Sequence, residues 1–192
     1  MENKTVRLAL LASALGLPTL ALAHAGVDAG AHHGFMAGLA HPFTGIDHLL
    51  AMLLVGVCSA SLGRRWWLAP LAFAAMLLAG ALLAASGLVV PAVEPAIALS
   101  LVLLGALLAA RSAWPAAALS ALFALFALFH GAAHGAELAG LDALAGMVLA
   151  TALLHAAGLV LGFGLRGRSP WWPRAAGLAV SLFGALLLVG VA

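Results

Sequence analysis

The chain has 192 residues, of which 66% are hydrophobic and 7% charged, with a formal net charge of +2. A soluble domain carries about 25% charged residues. That composition, with a mean hydropathy of +1.20, excludes a soluble enzyme and a nucleic-acid-binding module. Apolar runs of about 20 residues recur along the chain, each long enough to cross a bilayer as a helix. The alternating segments of about 10 residues that a transmembrane β-barrel needs are absent. The expected fold is therefore all-α: a polytopic helical membrane protein with six transmembrane helices after a cleavable N-terminal signal peptide, the bilayer being its first partner.

Residues 1–23 have the form of a signal peptide. Lys4 and Arg7 give a positive start, "LALLASALGLPTLALA" is the apolar stretch, and Ala21–Ala23 is a small-x-small cleavage signal. Cleavage after Ala23 leaves His24 as the new N-terminus; cleavage after Ala25 fits nearly as well. The alternative is an uncleaved first helix. Residues 24–34 then form a short polar tail, "HAGVDAGAHHGF" running on into the first span. His24 in that tail would offer an α-amine and an imidazole together, a chelating pair; Asp28, His32 and His33 accompany it. A plain solvated tail is the competing reading.

Residues 35–192 read as one membrane domain with spans at roughly 35–61, 66–87, 93–110, 114–136, 141–165 and 172–191, on length and hydropathy. The connecting segments "SLGRRWW", "ARSAWP" and "RGRSPWWPR" hold Arg64, Arg65, Arg111, Arg166, Arg168 and Arg174. The alternate loops, "SGLVVPAVE" and "GAELAGLD", hold Glu94, Glu137 and Asp142 and no Lys or Arg. The positive-inside rule puts the arginine loops in the cytoplasm and both mature termini in the periplasm, with the protein in the inner membrane. Trp66, Trp67, Trp114, Trp171 and Trp172 fall at that same inner boundary, where an aromatic belt is expected. The lone cysteine, Cys58, lies in an apolar run and reads as a small core residue.

Ionisable side chains inside hydrocarbon are costly and mark functional sites. "HPFTGIDHLLAM" places His41, Asp47 and His48 in the first span. On an ideal helix His41 and His48, seven apart, nearly eclipse, and Asp47 lies about 100° away. Asp47 is thus expected either to reach a different neighbour or to fix a histidine's tautomer from behind. Pro42 and Gly45 make a regular helix between the histidines unfavourable, and broken helices at membrane depth build ion sites in transporters. "FHGAAHGAEL" puts His130, His134 and Glu137 on one helix face, within roughly 60° of one another. Gly131 and Gly135 form a G-x-x-x-G pair on the adjoining face, suited to a close helix neighbour. Glu94 opens the third span. His155, in the fifth, reads either as a satisfied helix–helix hydrogen bond or as a lower way-station for an ion.

Four imidazoles with two or three carboxylates and no thiolate suit a divalent first-row metal. The competing reading for any one histidine is a structural hydrogen bond between helices. Imidazoles bind metal only when neutral, so affinity is expected to fall as pH drops below about 6.5. Facing histidines could instead ligate haem, or the group could be a metallohydrolase centre with Glu137 or Asp47 as base. The H-E-x-x-H motif is absent, no enzyme activity is expected, and nothing suggests a resident cofactor.

At this point the motifs carry a resemblance. "HPFTGIDH" matches the His-x5-Asp-His signature of the HupE/UreJ family of nickel/cobalt permeases, and "FHGAAHGAE" is similar to that family's second signature. "EPAIALSLVLLG" resembles its third-helix segment beginning at Glu94. The resemblance covers essentially the whole chain. It implies an inner-membrane permease importing Ni2+, with Co2+ as a second candidate, to supply metalloenzymes such as hydrogenase or urease. It assigns metal handling to His41, Asp47, His48, His130, His134 and Glu137, with Glu94 less securely placed.

Overall fold

The structure, a computed structural model, describes residues 32–111 and 114–190. The signal segment and His24 lie outside the described residues. Among the described residues, six helices are long and apolar enough to cross a membrane. In chain order the α-helices are α1 (Phe35–Ala40), α2 (Ile46–Ser59), α3 (Leu68–Ala85), α4 (Val93–Ala110), α5 (Ala116–Glu137), α6 (Leu141–Gly164) and α7 (Trp171–Leu188). Ala and Leu, both strong helix formers, dominate them, while glycines lie both between the helices and on their contact faces.

The first span, expected over 35–61 with a regular helix unfavourable between Pro42 and Gly45, is interrupted at those residues. It is broken into α1, a 3-10 turn over His41–Phe43, and α2, with Gly45 in an extended conformation (φ −101°, ψ 119°) at the start of α2. Pro42 has no N–H to continue a helix, and Gly45 leaves the helical region without strain. Thr44 closes the gap: its N–H and its hydroxyl both donate to the His41 carbonyl, at 3.0 and 2.7 Å. The crossing helix therefore begins at Ile46 and runs with a following 3-10 stretch to Arg65.

The helices pack chiefly in pairs, α3 on α5, α4 on α7, and α2 together with α1 on α6. Each pair meets at glycine. A Cβ on Gly131 would fall on the Leu77 carbonyl, and one on Gly80 on the Leu128 carbonyl, so the G-x-x-x-G face of α5 does bring a second backbone into contact. Gly105 and Gly177 do the same for α4 and α7, and Gly56 and Gly158 for α2 and α6. Without a hydrophobic drive between helices in lipid, this close approach is where packing energy comes from. Phe73, Leu77, Met52, Leu101, Phe123 and Met147 fill the buried centre.

The connectivity sorts the bundle ends. One end holds the starts of α2, α4 and α6 and the ends of α3, α5 and α7; the other holds the arginine and tryptophan segments. At that second end the Arg166 guanidinium donates to the Ala60 carbonyl and lies 4.8 Å over the Phe163 ring. At the first end, the backbone of His32–His33 pairs in parallel with Leu138–Ala139, directly after Glu137. This two-residue ladder is an exception to the all-α expectation. It anchors the last residues of the tail beside the end of α5.

Candidate metal centre

Three elements bring the ionisable residues together near the first end of the bundle. The 3-10 turn carries His41, the opening turn of α2 carries Asp47 and His48, and the last two turns of α5 carry His130, His134 and Glu137. The four imidazoles form a continuous chain. His41 meets His134 with ring centroids 4.8 Å apart, His134 meets His48 at 4.3 Å, and His48 meets His130 at 5.1 Å. His48, His130 and His134 are at most 1% exposed. Burying that many polar rings is stabilising only where they find partners or coordinate metal.

The outer part of this chain holds a ligand set. His41, His134 and Glu137 each offer a ligand atom, and those atoms lie within 4.8 Å of one another. The His41 Nε2–Glu137 Oε2 contact is 2.9 Å, with Glu137 half-buried at the edge. A cation seated between them would replace that hydrogen bond with two bonds to itself.

The inner part has its tautomers set from behind. The Nδ1–H of His48 donates to Asp47 Oδ1 at 2.9 Å, and the His48 backbone N–H donates to the same oxygen at 2.9 Å. The Nδ1–H of His130 donates to the Phe126 carbonyl at 3.0 Å. In each neutral ring the lone pair is thereby left on Nε2, the nitrogen suited to a metal. His130 Nε2 is buried with no hydrogen-bond partner among the described residues. The contact of Asp47 with His48 Nδ1 is the one a tautomer-fixing carboxylate makes. The break at Gly45 is also what lets His41 and His48, on separate elements, both reach His134.

Glu94 is not part of this group. It is exposed in the first turn of α4, where it and Asp47 line a cavity of about 180 Å3 with Ile97 and Leu187. His155 is 3% exposed and its Nε2 has no hydrogen-bond partner among the described residues. The reading of His155 as a satisfied helix–helix hydrogen bond is therefore not met at that nitrogen. One residue had no signal in sequence at all: Phe73 of α3, apolar in an apolar span, touches both His130 (5.8 Å) and His155 (5.1 Å) ring to ring.

A six-span helical membrane protein with a buried cluster of imidazoles and carboxylates at one end of the bundle is the class that fold and site define. The chain belongs to the HupE/UreJ family: the model of that family, described as "HupE / UreJ protein", matches residues 11–187. It is also similar to the protein named "Protein HupE" from Rhizobium leguminosarum bv. viciae, with 40% identity over 186 residues, 93% of this chain and 95% of that one. No solved structure matches it.

Proposed function

We propose that this protein takes up a divalent transition-metal ion, Ni2+ with Co2+ as a second cargo, across the bacterial inner membrane, and so supplies metalloenzymes such as hydrogenase or urease. The observation that carries this reading is the buried chain of four imidazoles leading inward from the His41–His134–Glu137 group. Imidazole and carboxylate donors without thiolate suit borderline divalent ions rather than Cu(I). The ion exchanges its water for His41, His134 and Glu137 and passes inward over His48 and His130. Asp47 holds His48 in its ligating tautomer. Conduction needs binding weak enough to release, and a series of closely spaced alternative donors meets that need. Glu94, and His24 in the tail, act as outer attractors for the cation.

The arginine and tryptophan segments share the opposite end of the bundle, and by the positive-inside rule this supports a periplasmic metal group with periplasmic mature termini. Imidazole rings 4.3–5.1 Å apart leave no space for a porphyrin plane between them, which disfavours haem ligation. Uptake of 63Ni2+ into cells expressing the chain, beside the double variant His130→Ala and His134→Ala at equal membrane abundance, tests the reading. Uptake is expected to vanish in the variant and to be blocked by excess unlabelled Ni2+ or Co2+ but not Mg2+. No uptake above empty cells, with folded protein present, would overturn it.

A further inference from the structure

Beside the four-histidine chain the helices hold one more imidazole, and one phenyl ring touches both it and His130. His155 of α6 packs edge-on against Phe73, centroids 5.1 Å apart and planes at 85°, and Phe73 in turn packs against His130 at 5.8 Å and 57°. Phe73 is fully buried. The Nε2 atoms of His130 and His155 are both buried without a hydrogen-bond partner among the described residues, and both imidazoles touch this phenyl ring. A buried nitrogen left unsatisfied destabilises the fold. A leucine at either position would remove that cost, so these two nitrogens need a reason of another kind.

The surroundings of His155 lead onward. One turn towards the metal group on the same face of α6, the Thr151 hydroxyl lies 3.5 Å from the Met52 sulfur of α2 and donates to the Met147 carbonyl at 2.9 Å. In the other direction α2 and α6 press together at Gly56, where a Cβ would strike the His155 carbonyl. Past that contact, a cavity of about 280 Å3 opens at the arginine end, lined among others by Cys58, Gly162, Arg111 and Arg166. Two guanidinium groups on its wall keep a cation from dwelling there, which favours release over rebinding.

We propose that His155 is an inner metal way-station and that Phe73 is the gate between it and the outer histidine chain. The ion leaves His130, Phe73 changes rotamer, and His155 Nε2 receives it before it drops into the arginine-lined cavity. The phenyl ring makes no ligand bond and blocks a hydrated ion, so passage is stepwise and only for an ion already stripped onto imidazole. This rests on the transport reading above and adds to it a second site and a barrier.

The test compares wild type with His155→Leu and Phe73→Leu in three measurements: 63Ni2+ uptake in cells, Ni2+ bound to the purified protein in detergent at equilibrium, and thermal unfolding. For His155→Leu, uptake is expected to fall at least tenfold while the outer group still binds Ni2+ with unchanged affinity and the melting temperature is equal or higher. For Phe73→Leu, uptake is expected to be as fast as wild type or faster. A transporting wild type with an equally active His155→Leu would overturn this inference alone. So would a His155→Leu protein that melts lower and loses the outer binding, since His155 would then be a packing residue. A stable Phe73→Leu protein that no longer transports would overturn the gate. A folded wild type without uptake would overturn the transport reading and this inference with it.

Discussion

Asp47 Oδ1 accepts two hydrogen bonds from the residue that follows it, the backbone N–H and the Nδ1–H of His48, both at 2.9 Å. The carboxylate thus serves the metal group through its neighbour. One oxygen fixes the first turn of α2 and the tautomer of a histidine that touches both His130 and His134. Removing such a partner lowers metal affinity by about 10–100-fold in other metal sites. Asp47→Ala is expected to weaken Ni2+ binding by that factor, with Asp47→Asn recovering part of it because an amide oxygen still accepts. Titration calorimetry on the purified variants measures this; equal affinity in all three proteins would show that Asp47 does not act through His48.

His41 and Glu137 come from elements far apart in sequence and meet at 2.9 Å. If both bind the same ion, their substitutions cannot act independently. His41→Ala and Glu137→Gln are each expected to cut Ni2+ affinity. The double variant should fall short of the summed losses by a coupling of about 0.5–3 kcal/mol, the range for residues in contact. A double-mutant cycle on binding reads it directly, and strict additivity would separate the two residues into different sites.

The face of α5 next to the histidines tolerates no side chain. A Cβ on Gly131 would fall on the Leu77 carbonyl, and backbone cannot swing aside as a side-chain tip can. Gly131→Ala is expected to destabilise the protein by about 1–3 kcal/mol, the usual penalty of overpacking, and Gly131→Val by more. Because α3 carries Phe73 and α5 carries His130, the same change should impair uptake more than abundance. Thermal unfolding in detergent and immunoblots of membranes check both effects; a Gly131→Val protein as stable as wild type would refute the packing account.

Orientation makes a separate prediction. With the arginine segments cytoplasmic, a C-terminal alkaline phosphatase fusion is expected to be active and a C-terminal green fluorescent protein fusion dark. Reporters placed after Arg65 or Arg111 should behave the opposite way. The reverse pattern would put the metal group at the cytoplasmic face and turn the proposed direction of transport around.

Much of this architecture is legible in the chain as a string. Apolar length sets the spans, because a helix must satisfy its own backbone in lipid and needs about 20 residues to do so. The one span whose limits shift is the one containing Pro42 and Gly45, where a local backbone rule breaks the apolar run. The helix periodicity of "FHGAAHGAEL" puts His130, His134 and Glu137 on one face, and the structure keeps them there because α5 is regular through Glu137. Local covalent geometry carries such information without any neighbour.

Relations across helices are not carried that way. Asp47 bonds its own neighbour within α2, but only the docking of α2 beside α5 brings that His48 against His130 and His134, while Glu94 sits on an exposed turn of α4. Nothing in the apolar run around Phe73 distinguishes that residue from Phe123 or Phe126; its contact with both His130 and His155 follows from how α3, α5 and α6 pack together. By itself, then, the sequence determined the number of spans, the break in the first, and which side chains could hold a metal. The tertiary structure decided which of them meet and which ring touches both the outer chain and His155. Contacts between helices depend on how two surfaces seat against each other, and no single helix contains that information.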